Sequence, residues 1–231
     1  MSVKMDEITN IAHLKQLVAH LQGVVFPDYY PSVERPKTPV LPDAFWMQIP
    51  KIKRLIHTDV DAVLHNDPAV TDKGEVILSY PLAYTMIHYR AAHALYTLGV
   101  PRIPRMLTEL AHSRTGIDIH PAAQIGDHFC IDHGTGVVIG QTAIIGSHVV
   151  LYQGVTLGAK NFEYDEEGRP KDVPRHPILE DHVTVYSNTS ILGRIRIGHD
   201  TVVGGNIWLT QDVPANSIVL QSTPEIRIKN K

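Results

Sequence analysis

Every sixth residue from Ile119 to Val155 is aliphatic: Ile119, Ile125, Ile131, Val137, Ala143, Val149 and Val155. Helices repeat near 3.6 residues and strands near 2, so neither accounts for a period of six. A short fixed period marks a repeat architecture, and hexapeptide repeats build parallel β-helices. Each hexad supplies a short strand and a turn, and roughly three hexads close one coil. The step resumes at Leu179, Val185, Ile191, Ile197, Val203 and Leu209. Thirteen hexads predict about four coils. Between the two runs, Asn161 to Arg175 is charged and holds Gly168, Pro170 and Pro174, so it must leave the prism as a loop.

The preceding part reads as helical. Ile8, Ile11, Leu14, Leu17, Val18 and Leu21 space an amphipathic helix over residues 5–24. Five prolines in 26–43 mark a connector. Further helices are predicted over 43–65, 80–98 and 103–113. The second ends at Asp67-Pro68, and the third at Gly99 with Pro101 beyond. The class is therefore α+β: an α-helical N-terminal domain over 1–115, then a parallel β-helix over 116–213 with an excursion loop at 159–176. A tail follows over 214–231.

Composition excludes several function classes. A net charge of -3 gives no reason to propose nucleic acid or an anionic membrane as partner. No apolar run approaches the roughly 18 residues of a membrane span, and the N-terminus shows no signal peptide. The single cysteine, Cys130, rules out an internal disulfide. A cytoplasmic protein is expected. Cys130 reads as structural, His93 as a core histidine, and His182 and His199 as solvent-facing.

Packing does not require two motifs inside the ladder, Asp118-Ile119-His120-Pro121 and Asp132-His133-Gly134-Thr135-Gly136. With Gly154-Val155-Thr156-Leu157-Gly158 they resemble the serine O-acetyltransferases. Asp67-Pro68-Ala69-Val70, Tyr89-Arg90-Ala91-Ala92-His93 and Arg175-His176-Pro177 resemble other motifs of that family. The resemblance covers roughly residues 43–220. It implies a left-handed β-helix and acetyl transfer from acetyl-CoA to the hydroxyl of L-serine, giving the O-acetylserine used in cysteine biosynthesis. It implies no metal. It also implies a homotrimer, commonly paired into hexamers through the helical domain.

Serine's hydroxyl is a weak nucleophile and needs a base, for which an imidazole with a pKa near 6.5 is suited. By resemblance that base is His133, oriented by Asp118. Their fifteen-residue separation, slightly less than a coil, is compatible with adjacent coils near one corner. Asp67 and Asp132 would meet the substrate's amino group, and Arg175 its carboxylate, which a guanidinium fork can grip with two bonds. His176 would hold substrate or stabilise the oxyanion. Gly158, Ser187 and Gly205 would let CoA approach the backbone.

Blander readings stand beside these. Asp118 could cap a turn, Asp67 could merely end a helix, and Arg175 and His176 could be ordinary loop residues. His128 and His133 share the spacing of a metal pair in β-helical carbonic anhydrases, but a zinc site needs about three protein ligands, and no coil-spaced upstream histidine supplies the third. The long acidic loop admits another hydroxyl or amine acceptor, and the altered tail a non-catalytic scaffold. The chain ends in Lys231, where some members carry the isoleucine that docks into O-acetylserine sulfhydrylase. That complex is therefore not expected.

Overall fold

The computed structural model describes residues 11–35 and 41–222. Ile8 and the residues from Thr223 to Lys231 lie outside that range.

Among the described residues six helices come first: α1 (Ile11–Val25), α2 (Asp43–Trp46), α3 (Ile49–Asn66), α4 (Lys73–Ser79), α5 (Pro81–Thr97) and α6 (Ile103–Thr115). The single helix expected over 43–65 is broken after Trp46. Pro50, in the first turn of α3, has no N–H to donate and would clash with the carbonyl of Trp46. The short α4 was not anticipated. Its start is set by side chains: Asp72 accepts from the Glu75 amide at 3.0 Å, and Glu75 accepts from the Thr71 amide at 2.9 Å. α6 ends at Gly116, whose φ of 73° is left-handed. α5 is buried on nearly every side, from Leu82 round to Leu95, because other elements surround it.

Among the described residues fourteen short strands follow, wound into three parallel sheets. The first holds β1 (Asp118–Ile119), β4 (Val138–Ile139), β7 (Thr156–Gly158), β10 (Ser190–Leu192) and β13 (Trp208–Leu209). The second holds β2 (Gln124–Ile125), β5 (Ile144–Ile145), β8 (Ile178–Leu179) and β11 (Arg196–Ile197). The third holds β3 (Cys130–Asp132), β6 (Val150–Tyr152), β9 (Thr184–Val185), β12 (Val202–Val203) and β14 (Ile218–Val219). Consecutive strands belong to successive sheets, so the chain climbs a three-sided prism of about five turns rather than four. The last strand, β14, comes from the first residues of the 214–231 segment and pairs with β12.

The register changes the meaning of the six-residue step. Ile119 lies opposite Ile139 and Ile131 opposite Leu151, so the first coil is 20 residues long, whereas Ile139 lies opposite Leu157 after 18. Two extra residues sit at the turn after β3. Ile119, Ile125 and Ile131 belong to strands, but Val137, Ala143, Val149 and Val155 lie just ahead of strands. Both columns are lined by aliphatic residues and nearly all are buried, so a step of six passes from one to the other unnoticed.

The helical part closes one end of the prism through α3 and α5. Tyr89 donates to the Ala123 carbonyl at 2.6 Å, and His93 pairs with the Pro121 carbonyl at 2.8 Å. Arg90 donates to the carbonyls of Ile125 and Gly126, each at 2.6 Å, and makes a two-pronged ion pair with Asp59 at 2.8 and 3.1 Å. Asp59 in turn accepts from the Phe129 amide at 3.1 Å. One apolar cluster runs from Leu14 through these helices into the coils. Cys130 is buried, and burial pushes its thiol up to about 12. His182 and His199 are exposed.

Candidate active site

The turn between β3 and β4 is where the first coil carries its extra residues. His133 and Gly134 both adopt left-handed backbone, φ 55° and 84°, and this double turn pushes His133 outward. Its side chain is 76% exposed, with Nε2 4.0 Å from an Asp132 oxygen. Asp67 ends α3, as the blander reading held, but its carboxylate is also held in place. One oxygen accepts from the Ala69 amide at 2.8 Å and the other from the Tyr80 hydroxyl at 2.7 Å. The Tyr80 hydrogen bond, with that amide, holds the Asp67 carboxyl below its usual range, and His133 contributes in the same direction. The same bond pushes the Tyr80 phenol up to about 12. Asp67, Tyr80, Asp132 and His133 thus lie close together, an acidic cluster with one exposed imidazole beside it.

Ser187 and Gly205 lie on the same edge of the prism, higher up. A Cβ on Gly205 would stand 3.1 Å from the Ser187 carbonyl oxygen, so the two line one surface.

Arg175 and His176 lie on the other edge of the first sheet, where the excursion loop returns. Thr142 organises them: its hydroxyl oxygen accepts from the amides of Arg175 and His176 at 2.9 and 3.1 Å. The Thr142 amide donates to His176 Nδ1 at 3.1 Å, and the hydroxyl lies 2.9 Å from the same nitrogen. A ring nitrogen that accepts these bonds leaves the proton on Nε2, so His176 presents a neutral N–H donor. Burial, then Arg175, His120 and Arg194, push its pKa down to about 4. The ring lies over Gly140, where any Cβ would collide with it. Arg175 reaches Gln141 at 2.5 Å and stacks its guanidinium 5.9 Å from the Phe162 ring of the loop. Gly158 closes β7 on this edge, with a hypothetical Cβ 2.8 Å from Leu192.

Asp118 stands on β1 at the bottom of the first sheet. Its carboxylate is held by Arg105 at 2.9 and 3.5 Å. Within the described residues, the carboxylate at ion-pair distance from His133 is Asp132, not Asp118. His128 and His133 occupy turns at opposite ends of β3, on different edges.

Asp118 apart, the candidate residues therefore fall into two groups. One edge carries Asp67, Asp132, His133, Ser187 and Gly205; the other carries Gly158, Arg175 and His176. Strands of two or three residues, on the order of 10 Å, separate them. Sequence motifs did not reveal Tyr80, Thr142, Gly140 or Arg105. Each acts by supporting another residue across a turn or between elements, which spacing does not register.

Neutral burial of histidines has an effect on stability. His88 and His176 are 1% and 7% exposed, and both are pushed down to about 4 from 6.5, chiefly by burial. The unfolded chain takes up these protons first, so stability is complete above pH 6.5 and falls as pH drops from 6.5 toward 4. The loss is up to about 3 kcal/mol per group. Urea midpoints measured from pH 7 to 4.5 should fall, and less steeply in His176→Gln.

The helical cap, the five-turn coil and the Asp-His turn define a class: a capped, left-handed hexapeptide β-helix. No family model matches the chain. It is 47% identical over 205 residues to the plasmid serine acetyltransferase of Synechococcus elongatus, covering 88% of this chain and 64% of that relative. The serine acetyltransferase of Helicobacter pylori is 41% identical over 172 residues, covering 74% of this chain and 96% of its own length. In structure, serine acetyltransferase isoform 3 of Entamoeba histolytica, solved with cysteine, superposes with a TM-score of 0.80 at 33% identity. That match covers 94% of this chain and 84% of the other. The chain belongs to the serine acetyltransferase family. It spans somewhat less than two thirds of the length of its Synechococcus relative.

Proposed function

We propose that this protein transfers the acetyl group of acetyl-CoA to the hydroxyl of L-serine, releasing O-acetyl-L-serine and CoA. The carrying observation is the cluster of Asp67 and Asp132 with His133 exposed beside them. Two carboxylates suit an ammonium group, and the neighbouring imidazole suits the proton of the adjacent hydroxyl. His133 takes the serine proton as oxygen attacks the thioester carbonyl. The neutral Nε2–H of His176 donates to the developing oxyanion, and Arg175 grips the serine carboxylate. The intermediate collapses, the C–S bond breaks and the CoA sulfur takes up the proton from His133. Asp118 orients the imidazole once its carboxylate is shared with or released by Arg105. Acetyl-CoA lies along Ser187 and Gly205 on one side and Gly158 on the other, and no metal takes part.

Serine is too small to span both edges of one prism. The reading therefore requires a second copy of the chain, whose Arg175 edge completes the His133 edge of the first. A homotrimer closes such a head-to-tail contact with three identical sites. Pairing of trimers through the helices gives a hexamer. A cytoplasmic setting accords with this substrate pair.

CoA release measured across L-serine, homoserine and sugars tests the assignment. Turnover with L-serine is expected, and inactive serine beside an active alternative would overturn it. One observation favours that alternative: the excursion loop sets Phe162 against Arg175, so the loop shapes the acceptor pocket. Tyr80→Phe removes the hydroxyl that aligns Asp67. Hydrogen bonds to charged groups contribute roughly 1.5–3 kcal/mol, so KM for serine should rise about tenfold or more while KM for acetyl-CoA holds. Steady-state kinetics with each substrate varied checks this.

A further inference from the structure

The third edge of the prism, between the second and third sheets, carries none of the residues assigned to acetyl transfer. Three imidazoles stack along it. The His128 and His148 rings lie 4.3 Å apart at 13°, and the His148 and His182 rings 4.7 Å apart at 5°. Asp127 stands at the lower end, with one carboxylate oxygen 3.4 Å from His128 Nδ1. That nitrogen is shielded from solvent yet has no well-formed hydrogen bond. One ligand atom from each of Asp127, His128 and His148 lies within 4.8 Å of the other two.

We propose that Asp127, His128 and His148 bind one divalent transition-metal ion of the zinc, cobalt or nickel type. Two imidazoles and a carboxylate favour these ions over magnesium or calcium, which prefer all-oxygen sets. Zinc–nitrogen and zinc–oxygen bonds are about 2.0–2.2 Å, so donors up to roughly 4.4 Å apart can share an ion. The cluster needs to close by only a few tenths of an ångström. Three protein ligands leave a position for water. Arg54 lies 3.7 Å from the other Asp127 oxygen, so it anchors the carboxylate without taking the oxygen that faces His128.

A second group among the described residues, Glu109, His112 and Asp118, is as compact. Arg105 already neutralises it, at 3.2 Å from Glu109 and 2.9 Å from Asp118. On the third edge, among the described residues, Arg54 pairs with the Asp127 oxygen that does not face His128, and no ion pair to an arginine or lysine bridges two of the ligands.

Asp127 and His128 come from the first coil and His148 from the second. The His128 amide also donates to Thr58 of α3 at 3.2 Å. A bound ion would therefore clamp the first two coils beneath the helical cap, away from the acetyl-transfer residues. The inference does not depend on the proposed reaction.

The full chain, stripped with a chelator, is titrated with Co²⁺ and followed by its visible absorption, and with Zn²⁺ and followed by Tm. One equivalent of Co²⁺ per chain should give a saturating band, and Zn²⁺ should raise Tm. His148→Ala should lose both responses and keep its circular dichroism and its CoA-release rate. His182→Ala removes a stacked ring but no ligand, and should keep both. Asp127→Asn should weaken the band, which a merely stacked histidine column would not show. Absence of a one-equivalent band, its survival in His148→Ala, or equal loss in His182→Ala would overturn the assignment.

Discussion

Arg90→Ala should destabilise the protein by about 3–5 kcal/mol, the range for removing one partner of a buried ion pair. The side chains of Arg90 and Asp59 are 4% and 0% exposed. Burial pushes the Asp59 carboxyl up to about 6, against the pull of Arg90's charge and hydrogen bonds. Without the guanidinium, that carboxylate is left without its counter-charge, and the carbonyls of Ile125 and Gly126 lose their donor. For a chain of this size, each kcal/mol moves Tm by roughly 2–4 °C, so a fall on the order of 10 °C is expected. Arg90→Lys should recover only part, because an ammonium cannot make the two-pronged contact and reach both carbonyls. Replacing the pair together, with Asp59→Leu and Arg90→Met, should recover more than either single change. Calorimetry decides, and a loss below about 1 kcal/mol in Arg90→Ala would show that the pair does not lock the two parts together.

His133→Ala should lower kcat by roughly 10²–10⁴-fold with little change in KM for acetyl-CoA, the usual contribution of a positioned general base. The side chain is 76% exposed, so its removal leaves no cavity. Its backbone is left-handed at φ 55°, which alanine tolerates less well than asparagine. His133→Asn therefore separates chemistry from strain: it should fold as the parent does and be equally slow. Normal kcat in both variants would sink the mechanism. Asp118→Asn should show a smaller loss, since it acts through His133.

The two expectations differ in how well the sequence exposes them. His133 was legible because Asp-His-Gly-Thr-Gly interrupts an aliphatic ladder, and a core does not need those residues. Arg90 was visible only as part of the Tyr-Arg-Ala-Ala-His match. Its four acceptors, the two Asp59 oxygens and the Ile125 and Gly126 carbonyls, are 31 to 36 residues away, and no local pattern links them. Tyr80 was hidden for the same reason. It lies 13 residues from Asp67 and looks like the residue that merely precedes Pro81.

Which residues face a core, and where that core cannot continue, can be read directly from the chain. A period of six, Gly99 with Pro101 beyond it and the loop from 159 mark the elements, because backbone geometry and burial act locally. The chain also marks the Asp-His and Arg-His motifs. What lies beside what emerges only once the coils are stacked. The two extra residues after β3 shift the columns without breaking the six-residue step. The excursion places Ile145 opposite Leu179, and so hides the His148–His182 stack from any periodicity. The separation of His133 from His176 on two edges follows from the prism's triangular winding. Stacking depends on the full length of each coil, insertions included, and a local repeat carries no record of that sum.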